Sequence, residues 1–222
     1  MRLYIKKINK MEIHLNEEFG RSIYQTVLKY ELRQNLEIGS WDGQGSTKCF
    51  VDAMLQLGGD LFIGCVEILP ERINDLKLLY KDLDFVHPIN NSSIDYNEML
   101  HRDFNEIWNS EYNRIPKGLY DFDLVKSWHD RDIELLKTIE KGAISKLNRK
   151  WDSVLIDGGE FTGYSEYLLL KENTKVFFLD DVHSAFKCYQ VYCELKSSDD
   201  WDIIFDLPYS RNGAAAFIKK IK

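Results

Sequence analysis

Short apolar segments that end in acidic or glycine-rich stretches recur along this chain and restrict its fold to a few architectures. Such runs lie at 36–39, 61–67, 84–89, 151–159 and 175–182. Because they are nearly continuously apolar and alternate with helical patterns, they predict parallel strands that are covered on both faces. Two final strand-like runs, 201–207 and 214–221, flank the turn PYSRNG and predict an antiparallel C-terminal hairpin. We therefore predict an α/β fold with a doubly wound, mostly parallel seven-stranded sheet.

Two regions lie outside this alternation of strands and helices. Residues 1–34 predict an N-terminal helical segment, and residues 90–150 are too long for an ordinary crossover connection. The longer region predicts helices around 94–108 and 123–147 and is rich in aromatic residues. These aromatics suit a lid that stacks on a sugar ring or planar acceptor, and they equally suit a small satellite core. We treat 1–222 as one domain that carries a helical insertion or lid.

Composition argues against several classes of function. The chain has 222 residues and a net charge of −7, which disfavours a nucleic-acid backbone as its main partner. No apolar run is long enough to span a bilayer, and the first residues lack the apolar core of a signal peptide. The four cysteines have no CxxC spacing and are interpreted as reduced. These features predict a cytoplasmic protein without nucleic-acid or membrane partners, and they leave a homo-oligomer open.

A glycine-rich turn, GSWDGQGST at 39–47, separates the first strand from the helix that follows it. Glycines let a backbone turn tightly and approach a ligand, and a helix N-terminus favours negative charge. Glu67 ends the second strand, where an acid would bond a ribose. The turn lacks both the G-x-G-x-x-G spacing of dinucleotide folds and the G-K-[ST] ending of a P-loop. It therefore indicates a nucleotide-like cofactor other than ATP or GTP, with a tight turn that binds nothing as the alternative.

Three segments together resemble a known enzyme family. LEIGSWDGQGST resembles motif I of class I S-adenosylmethionine (SAM)-dependent methyltransferases, and its Trp in place of the usual middle glycine is similar to the macrocin O-methyltransferase family and its sugar-modifying relatives. WDSVLIDGGEFTGYSEYL and VFFLDDVHSA are similar to the segments that follow the fourth and fifth strands of that family. The resemblance implies a Rossmann-like methyltransferase fold, SAM as cofactor and a small polar acceptor such as a sugar or glycan.

The resemblance also implies which residues contact SAM. They follow the first four strands of the predicted sheet, at the edge where a cofactor would lie. The residues are Glu37, Gly39, Ser40, Trp41, Gly43, Ser46, Thr47, Glu67, Ile68, Asn91, Ser92, Ser93 and Asp157.

Acidic residues follow the fourth and fifth strands, namely Asp157, Asp180 and Asp181. Because parallel strand ends meet at one edge of a sheet, we expect these carboxylates to converge, and they would repel each other unless a cation lay among them. In the resembling families, acids at these positions hold a divalent metal, so the resemblance implies Mg²⁺. The alternative is that the three aspartates cap helices or accept bonds from nearby backbone amides.

Methyl transfer to an oxygen also needs a proton acceptor, and three residues are candidates. Asp157 is one, Glu160 follows it by three residues, and His183 follows Asp181 by two. The resembling family often places His or Asp directly after the Asp-Gly pair, where this chain has Gly159 and Glu160. The identity of the base is therefore left open.

These inferences lead to the hypothesis of a SAM-dependent O-methyltransferase that is assisted by Mg²⁺. A rival enzyme is an NAD-dependent oxidoreductase on a similar fold, which the missing G-x-G-x-x-G and the terminal hairpin disfavour. A rival of another class is a non-catalytic partner subunit that keeps the fold. Absence of SAM binding would favour that second rival.

Overall fold

A computed structural model describes residues 13–110, 120–183 and 186–221, and the statements below concern those residues. Seven strands form one sheet: β1 (Gln34–Ile38), β2 (Phe62–Glu67), β3 (Val86–Asn90), β4 (Trp151–Ile156), β5 (Thr174–Asp180), β6 (Trp201–Leu207) and β7 (Ala214–Lys219). Their order is β3-β2-β1-β4-β5-β7-β6. Strands β1 to β5 are parallel, and β7 is antiparallel to both β5 and β6. The predicted fold class and C-terminal hairpin are thereby confirmed.

Helices connect these strands along the described part of the chain. They are α1 (Glu18–Tyr30), α2 (Ser46–Leu57), α3 (Pro70–Leu79), α4 (Phe104–Asn109), α5 (Phe122–Lys137), α6 (Ala143–Leu147), α7 (Gly163–Leu170) and α8 (Tyr189–Ser197). None of them is long and apolar enough to cross a membrane.

The two faces of the sheet carry separate apolar layers, which explains why the central strands are apolar at nearly every position. Successive side chains of a strand point to opposite faces, so neighbours such as Phe177 and Phe178 belong to different layers. The ring centroid of Phe178 lies 5.5 Å from that of Phe50 on α2. The ring centroid of Phe177 lies 5.4 Å from that of Tyr167 on α7. Helices on both faces therefore hold the carboxyl ends of the strands in place.

The insertion between β3 and β4 is less helical than its sequence pattern predicts. The expected helix over 94–108 is wrong for 94–103, since the helix α4 begins only at Phe104. The expected helix over 123–147 is interrupted between α5 and α6. The Asp95 carboxylate accepts bonds from the backbone N–H groups of Asn97 (2.8 Å) and Glu98 (3.2 Å). Such local bonds to the backbone compete with helix formation.

The two outermost strands of the sheet are β3 and β6. Strand β3 contains Pro88, which has no N–H group to donate to a neighbouring strand. Strand β6 pairs with β7 through a register shift between Ile203 and Phe205. Both outer strands are thus irregular in a way that the inner strands are not.

Candidate cofactor and acid site

The turn after β1 is packed against the loop after β4. Gly39 has a φ of +89°, and a Cβ added there would lie 2.3 Å from the carbonyl oxygen of Asp157. The N–H groups of Gly39 and Ser40 both donate to the Val66 carbonyl, at 2.9 and 3.1 Å. Only glycine fits this position, because a side chain would collide with the β4 loop. The turn therefore sits at the switch point between β1 and β4, where ligands of such sheets bind.

The second glycine of the turn faces helix α3. Gly43 has a φ of +83°, and an added Cβ would lie 2.8 Å from Cγ of Leu76. The Tyr80 hydroxyl donates to the Gly43 carbonyl at 2.6 Å. Its contacts in the structure are therefore with α3, and its assignment to SAM stays a prediction.

Glu37 is fully buried beneath the start of α2. Its carboxylate accepts hydrogen bonds from the hydroxyls of Ser46 and Thr47, one on each oxygen. Burial raises the pKa of Glu37 to about 7, although the two hydroxyls act in the opposite direction. These three residues, all expected to contact SAM, form hydrogen bonds with one another beneath the turn, and their contact with SAM stays a prediction.

Glu67 ends β2 directly opposite the glycine-rich turn. Its Oε2 accepts from the N–H of Trp41 at 3.0 Å, and its Oε1 accepts from the N–H of Leu69 at 2.9 Å. An ionised carboxylate offers about four acceptor positions, so acceptor capacity remains for the hydroxyls of a ribose. The contact of Glu67 with a ribose stays a prediction.

Two further features of the turn are typical of binding sites. Trp41 has a φ of +50°, which is strained for a bulky residue, and its side chain is 41% exposed beneath the Arg72 guanidinium, 4.0 Å from the ring centroid. The hydroxyl of Ser40 is buried and has no hydrogen-bond partner among the described residues. A strained backbone and an unpaired buried hydroxyl in one turn fit a site whose ligand supplies the missing partner.

The residues after β2 and β3 tie the insertion to the sheet. Ile68 is half-buried next to Glu67. The side-chain amide of Asn91 donates to the Lys141 carbonyl at 3.0 Å, and the carbonyls of Ser92 and Ser93 accept from the first two N–H groups of α6. The Ser93 hydroxyl donates to Glu166, a buried acid on α7 that sequence reasoning missed. Proximity of 91–93 to an adenine stays a prediction.

The three aspartates converge as the strand order predicts. One carboxylate oxygen from each of Asp157, Asp180 and Asp181 lies within 4.8 Å of the others. Asp181 has a φ of +54°, so its backbone, like that of Trp41, is held in a strained conformation beside the site. The acidic cluster, defined as these three residues, therefore lies beside the loop against which Gly39 packs.

Cations of the chain itself reach this acidic cluster. Nζ of Lys187 lies 2.6 Å from Oδ1 of Asp157 and 3.1 Å from Oδ2 of Asp181. Nη2 of Arg211 lies 3.2 Å from Oδ2 of Asp180. Sequence reasoning missed both residues, which follow Asp157 by thirty residues and Asp180 by thirty-one.

Burial and mutual repulsion distribute protons unequally within the acidic cluster. Asp180 is fully buried, and burial raises its pKa to about 8, with Asp157 and Asp181 adding to the effect. Burial acts against the charge of Lys187, but the three carboxylates hold its pKa well above the usual range. Burial likewise opposes ionisation of Asp181, yet the Lys187 ammonium keeps the pKa of that carboxyl low.

This arrangement does not fit the Mg²⁺ that the sequence led us to expect. Magnesium needs several oxygens about 2.0–2.1 Å away, and it would have to share two of these carboxylates with an ammonium that already bonds both. A divalent ion and an ammonium about 4 Å apart repel each other by roughly 8 kcal/mol at an effective dielectric constant of about 20. The residues present fit a resident ammonium instead.

The two remaining candidates for the base lie in different surroundings. Glu160 is half-buried, and burial raises its pKa, with the nearby Asp181 and Asp157 contributing in the same direction. His183 is exposed, and its Nε2 lies 3.1 Å from the Pro208 carbonyl in the turn after β6. The structure therefore places Glu160 among the acids and turns His183 toward the C-terminal hairpin.

Aromatic rings of the insertion pack against the loops that follow β4 and β5. The Phe161 ring, next to Glu160, lies 5.1 Å from the His129 ring of α5 and 5.2 Å from the Phe186 ring after β5. Phe104 of α4 contacts both Phe161 and His129. Phe104 and Phe161 belong to the apolar layer on one face of the sheet, so these rings extend the main core rather than form a separate satellite core. The more exposed pair Tyr120 and Trp128, 5.1 Å apart, is left at the surface of the insertion.

Comparison with known proteins identifies the fold. No family model matches the chain, and no curated protein matches it. A methyltransferase from Geobacter sulfurreducens is similar in structure, with a TM-score of 0.57, 10% identity, and coverage of 99% of this chain and 86% of that chain. A methyltransferase from Podospora anserina with bound S-adenosylhomocysteine (SAH) has a TM-score of 0.55 and 15% identity, over 97% of this chain and 82% of that one. An O-methyltransferase from Bacillus cereus in complex with SAH has a TM-score of 0.52 and 14% identity, over 90% and 80%.

At these identities, the similarity shows the fold alone. The chain has the Rossmann-like fold of class I methyltransferases, with the mixed seven-stranded sheet predicted from its sequence.

Proposed function

We propose that this protein is a SAM-dependent O-methyltransferase that acts on a small polar acceptor, such as a sugar or glycan hydroxyl. The observation that carries the proposal is the turn after β1, in which Gly39 contacts the β4 loop and the Glu67 carboxylate faces the turn. Two of the structural neighbours with this sheet hold SAH. The unpaired Ser40 hydroxyl and the strained Trp41 backbone add support from the chain itself.

The chain offers a group for each part of the cofactor. Glu67 would bond the ribose hydroxyls, and Ile68 with residues 91–93 would border the adenine. The start of α2 has no side-chain cap, so its N–H groups and the Ser40 hydroxyl would hold the amino-acid end. When bound, SAM supplies an electrophilic methyl group. Glu37, Ser46 and Thr47 would act from beneath, by fixing the position of the turn.

Of the candidate bases, we propose Glu160 as the group that takes the proton of the acceptor hydroxyl. Burial raises the pKa of Glu160, which favours uptake of a proton by its carboxylate, whereas the Asp157 carboxylate accepts a hydrogen bond from Lys187. The His183 ring is engaged with the Pro208 carbonyl. Once an acceptor is known, Glu160→Gln should lower kcat and remove the fall in kcat at acidic pH. His183→Gln should leave both kcat and its pH dependence unchanged.

Calorimetric titration with SAM, SAH and NAD⁺ tests the cofactor assignment. We expect saturable binding of SAM and SAH and none of NAD⁺, because the turn lacks the three-glycine cradle for a pyrophosphate. Binding of NAD⁺ alone would favour an oxidoreductase. Binding of none of them would favour a non-catalytic partner subunit.

The acceptor class can be tested by release of SAH from SAM in the presence of candidate acceptors. Aromatic rings stack on sugar rings, and the Tyr120–Trp128 pair presents such a surface on the insertion. We therefore expect sugars and glycan fragments to stimulate SAH release and simple catechols not to. The reverse preference would contradict the sugar assignment while keeping the methyltransferase.

A further inference from the structure

We infer that the Lys187 ammonium takes the place of the divalent metal in this site, so that the acidic cluster operates with a resident cation and binds no Mg²⁺. The inference deepens the proposed function and rests on it for its catalytic meaning. The occupancy of the cluster can nevertheless be measured without SAM or an acceptor.

A cation of the chain lies beside each carboxylate of the acidic cluster, although neither oxygen of Asp180 has a hydrogen-bond partner among the described residues. Lys187 bridges Asp157 and Asp181, and Arg211 pairs with Asp180. The side-chain amide of Asn212 donates to Oδ1 of Asp181 at 3.0 Å. Oxygens of Asp157 and Asp181 that a metal would need therefore already bond an ammonium and an amide, which come from the loops after β5 and β6.

The position of Lys187 is fixed by packing as well as by charge. A Cβ on Gly163, the first residue of α7, would lie 2.4 Å from the Lys187 carbonyl, so this glycine lets the two backbones approach. The next residue, Cys188, is fully buried, and its Sγ lies 3.5 Å from the Ile156 carbonyl at the end of β4. Lys187 itself is only 7% exposed, so packing holds most of its side chain in place beside the two partly exposed aspartates.

The Lys187 ammonium also has one N–H donor that the aspartates do not use. It carries three N–H donors, of which Asp157 and Asp181 account for two. Among the described residues the third is left to hold an acceptor oxygen, which is the orienting task that a metal performs in other enzymes. Toward the acids, Lys187 acts as a positioning residue, because it holds Asp157 and Asp181 together.

Binding of Mn²⁺ to the full chain, followed by electron paramagnetic resonance, tests this inference. We expect no stoichiometric Mn²⁺ binding by the wild type or by Lys187→Arg, which keeps a cation. Lys187→Met should gain a stoichiometric site and a Mn²⁺-dependent rise in melting temperature. Lys196→Met serves as the matched control, because Lys196 is a lysine of α8 that pairs with Asp206 outside the cluster. It should behave as the wild type does.

Stoichiometric Mn²⁺ binding by the wild type that Asp180→Asn abolishes would overturn the inference. Absence of binding in both the wild type and Lys187→Met would also overturn it, because the lysine would then not be what excludes the ion. Circular dichroism shows whether Lys187→Met is folded, and Lys187→Gln is the substitute if it is not. A parallel SAM titration reports on the proposed function separately, so failure of one proposal is distinguishable from failure of the other.

Discussion

Acidic side chains lie at two places near the carboxyl ends of the central strands, and the chain compensates their charge in different ways. Glu37, beneath the glycine-rich turn, meets only neutral donors, the hydroxyls of Ser46 and Thr47. The acidic cluster instead meets the cations Lys187 and Arg211. Hydroxyls do not outweigh burial, so the pKa of Glu37 rises to about 7, and within the acidic cluster the cations lower the pKa of Asp181 while that of Asp180 still rises to about 8. Neutral donors therefore suffice where an acid positions a helix, whereas cations are present where several carboxylates must stay close together.

Among the variants proposed here, replacement of Lys187 should give the largest loss of stability. A small loss would mean that the acidic cluster does not depend on its cation. Lys187→Met leaves two carboxylates without their cation, and loss of one partner of a buried ion pair costs about 3–5 kcal/mol of the free energy of unfolding. Denaturant unfolding measures this loss. Adding Asp157→Asn to the variant should recover part of it, because the repulsion within the cluster then falls. Equal losses in the single and double variants would mean that charge is not the cause.

The neutral compensation of Glu37 predicts a dependence of stability on pH. The folded pKa of about 7 lies above the ordinary value of 4.5, so the native state holds the proton more tightly than the unfolded state. The resulting stabilisation is complete below about pH 4.5 and is lost as the pH rises to about 7, a change of about 3 kcal/mol. In Glu37→Gln this component should disappear, as the difference between the unfolding free energies of wild type and variant across pH 4.5–8 will show. The exposed control Glu134→Gln should keep the wild-type profile.

Replacement of Glu67 tests whether the acid at the end of β2 binds the cofactor. Glu67→Ala should weaken SAM binding by about 1.5–3 kcal/mol, the range for a hydrogen bond to a charged group. Calorimetry measures this change, and Asp60→Ala, an exposed acid before β2, serves as the control. Since Glu67 also accepts from the N–H of Trp41, the melting temperature is measured in parallel. A folded variant with unchanged SAM affinity would show that the ribose assignment is wrong.

The smallest effect is expected where a cation meets an exposed partner. The Arg72 guanidinium lies over the Trp41 ring, which is 41% exposed, and such contacts contribute about 0.5–1 kcal/mol at exposed sites. Arg72→Ala should lower the unfolding free energy by that amount, several times less than Lys187→Met, while Arg72→Lys retains part of the contact. If Arg72→Ala lowered the unfolding free energy as much as Lys187→Met does, burial would not explain why the two cations are expected to differ in their contribution to stability.

Much of the fold could be predicted from the sequence because the signals that specify it are local. Apolar runs marked the strands, and the glycines of the turn marked the place where the chain bends after β1. The convergence of Asp157, Asp180 and Asp181 followed from the strand order, since the ends of parallel strands share one edge. The predicted helix is wrong over 94–103, because the Asp95 carboxylate accepts bonds from backbone N–H groups in a stretch whose pattern indicates a helix.

The partners of the acids could not be predicted, because they depend on the paths of loops. Lys187 is thirty residues from Asp157, and nothing in the spacing of the two indicates that they touch. Lysine is rarely buried, so a lysine in a sequence is normally assigned to the surface. The same limit applies to the hydrogen bonds from Ser46 and Thr47 to Glu37, which the sequence does not indicate.

The irregular outer strands of the sheet have a consequence for self-association. An exposed strand edge is a template on which a second sheet can extend, and this is a common route to aggregation. Here Pro88 removes a donor from β3, and the register shift between Ile203 and Phe205 interrupts the opposite border in β6. Both borders are therefore poor templates for strand addition. We therefore expect copies of this chain that associate to meet through helices and loops rather than through one continuous sheet.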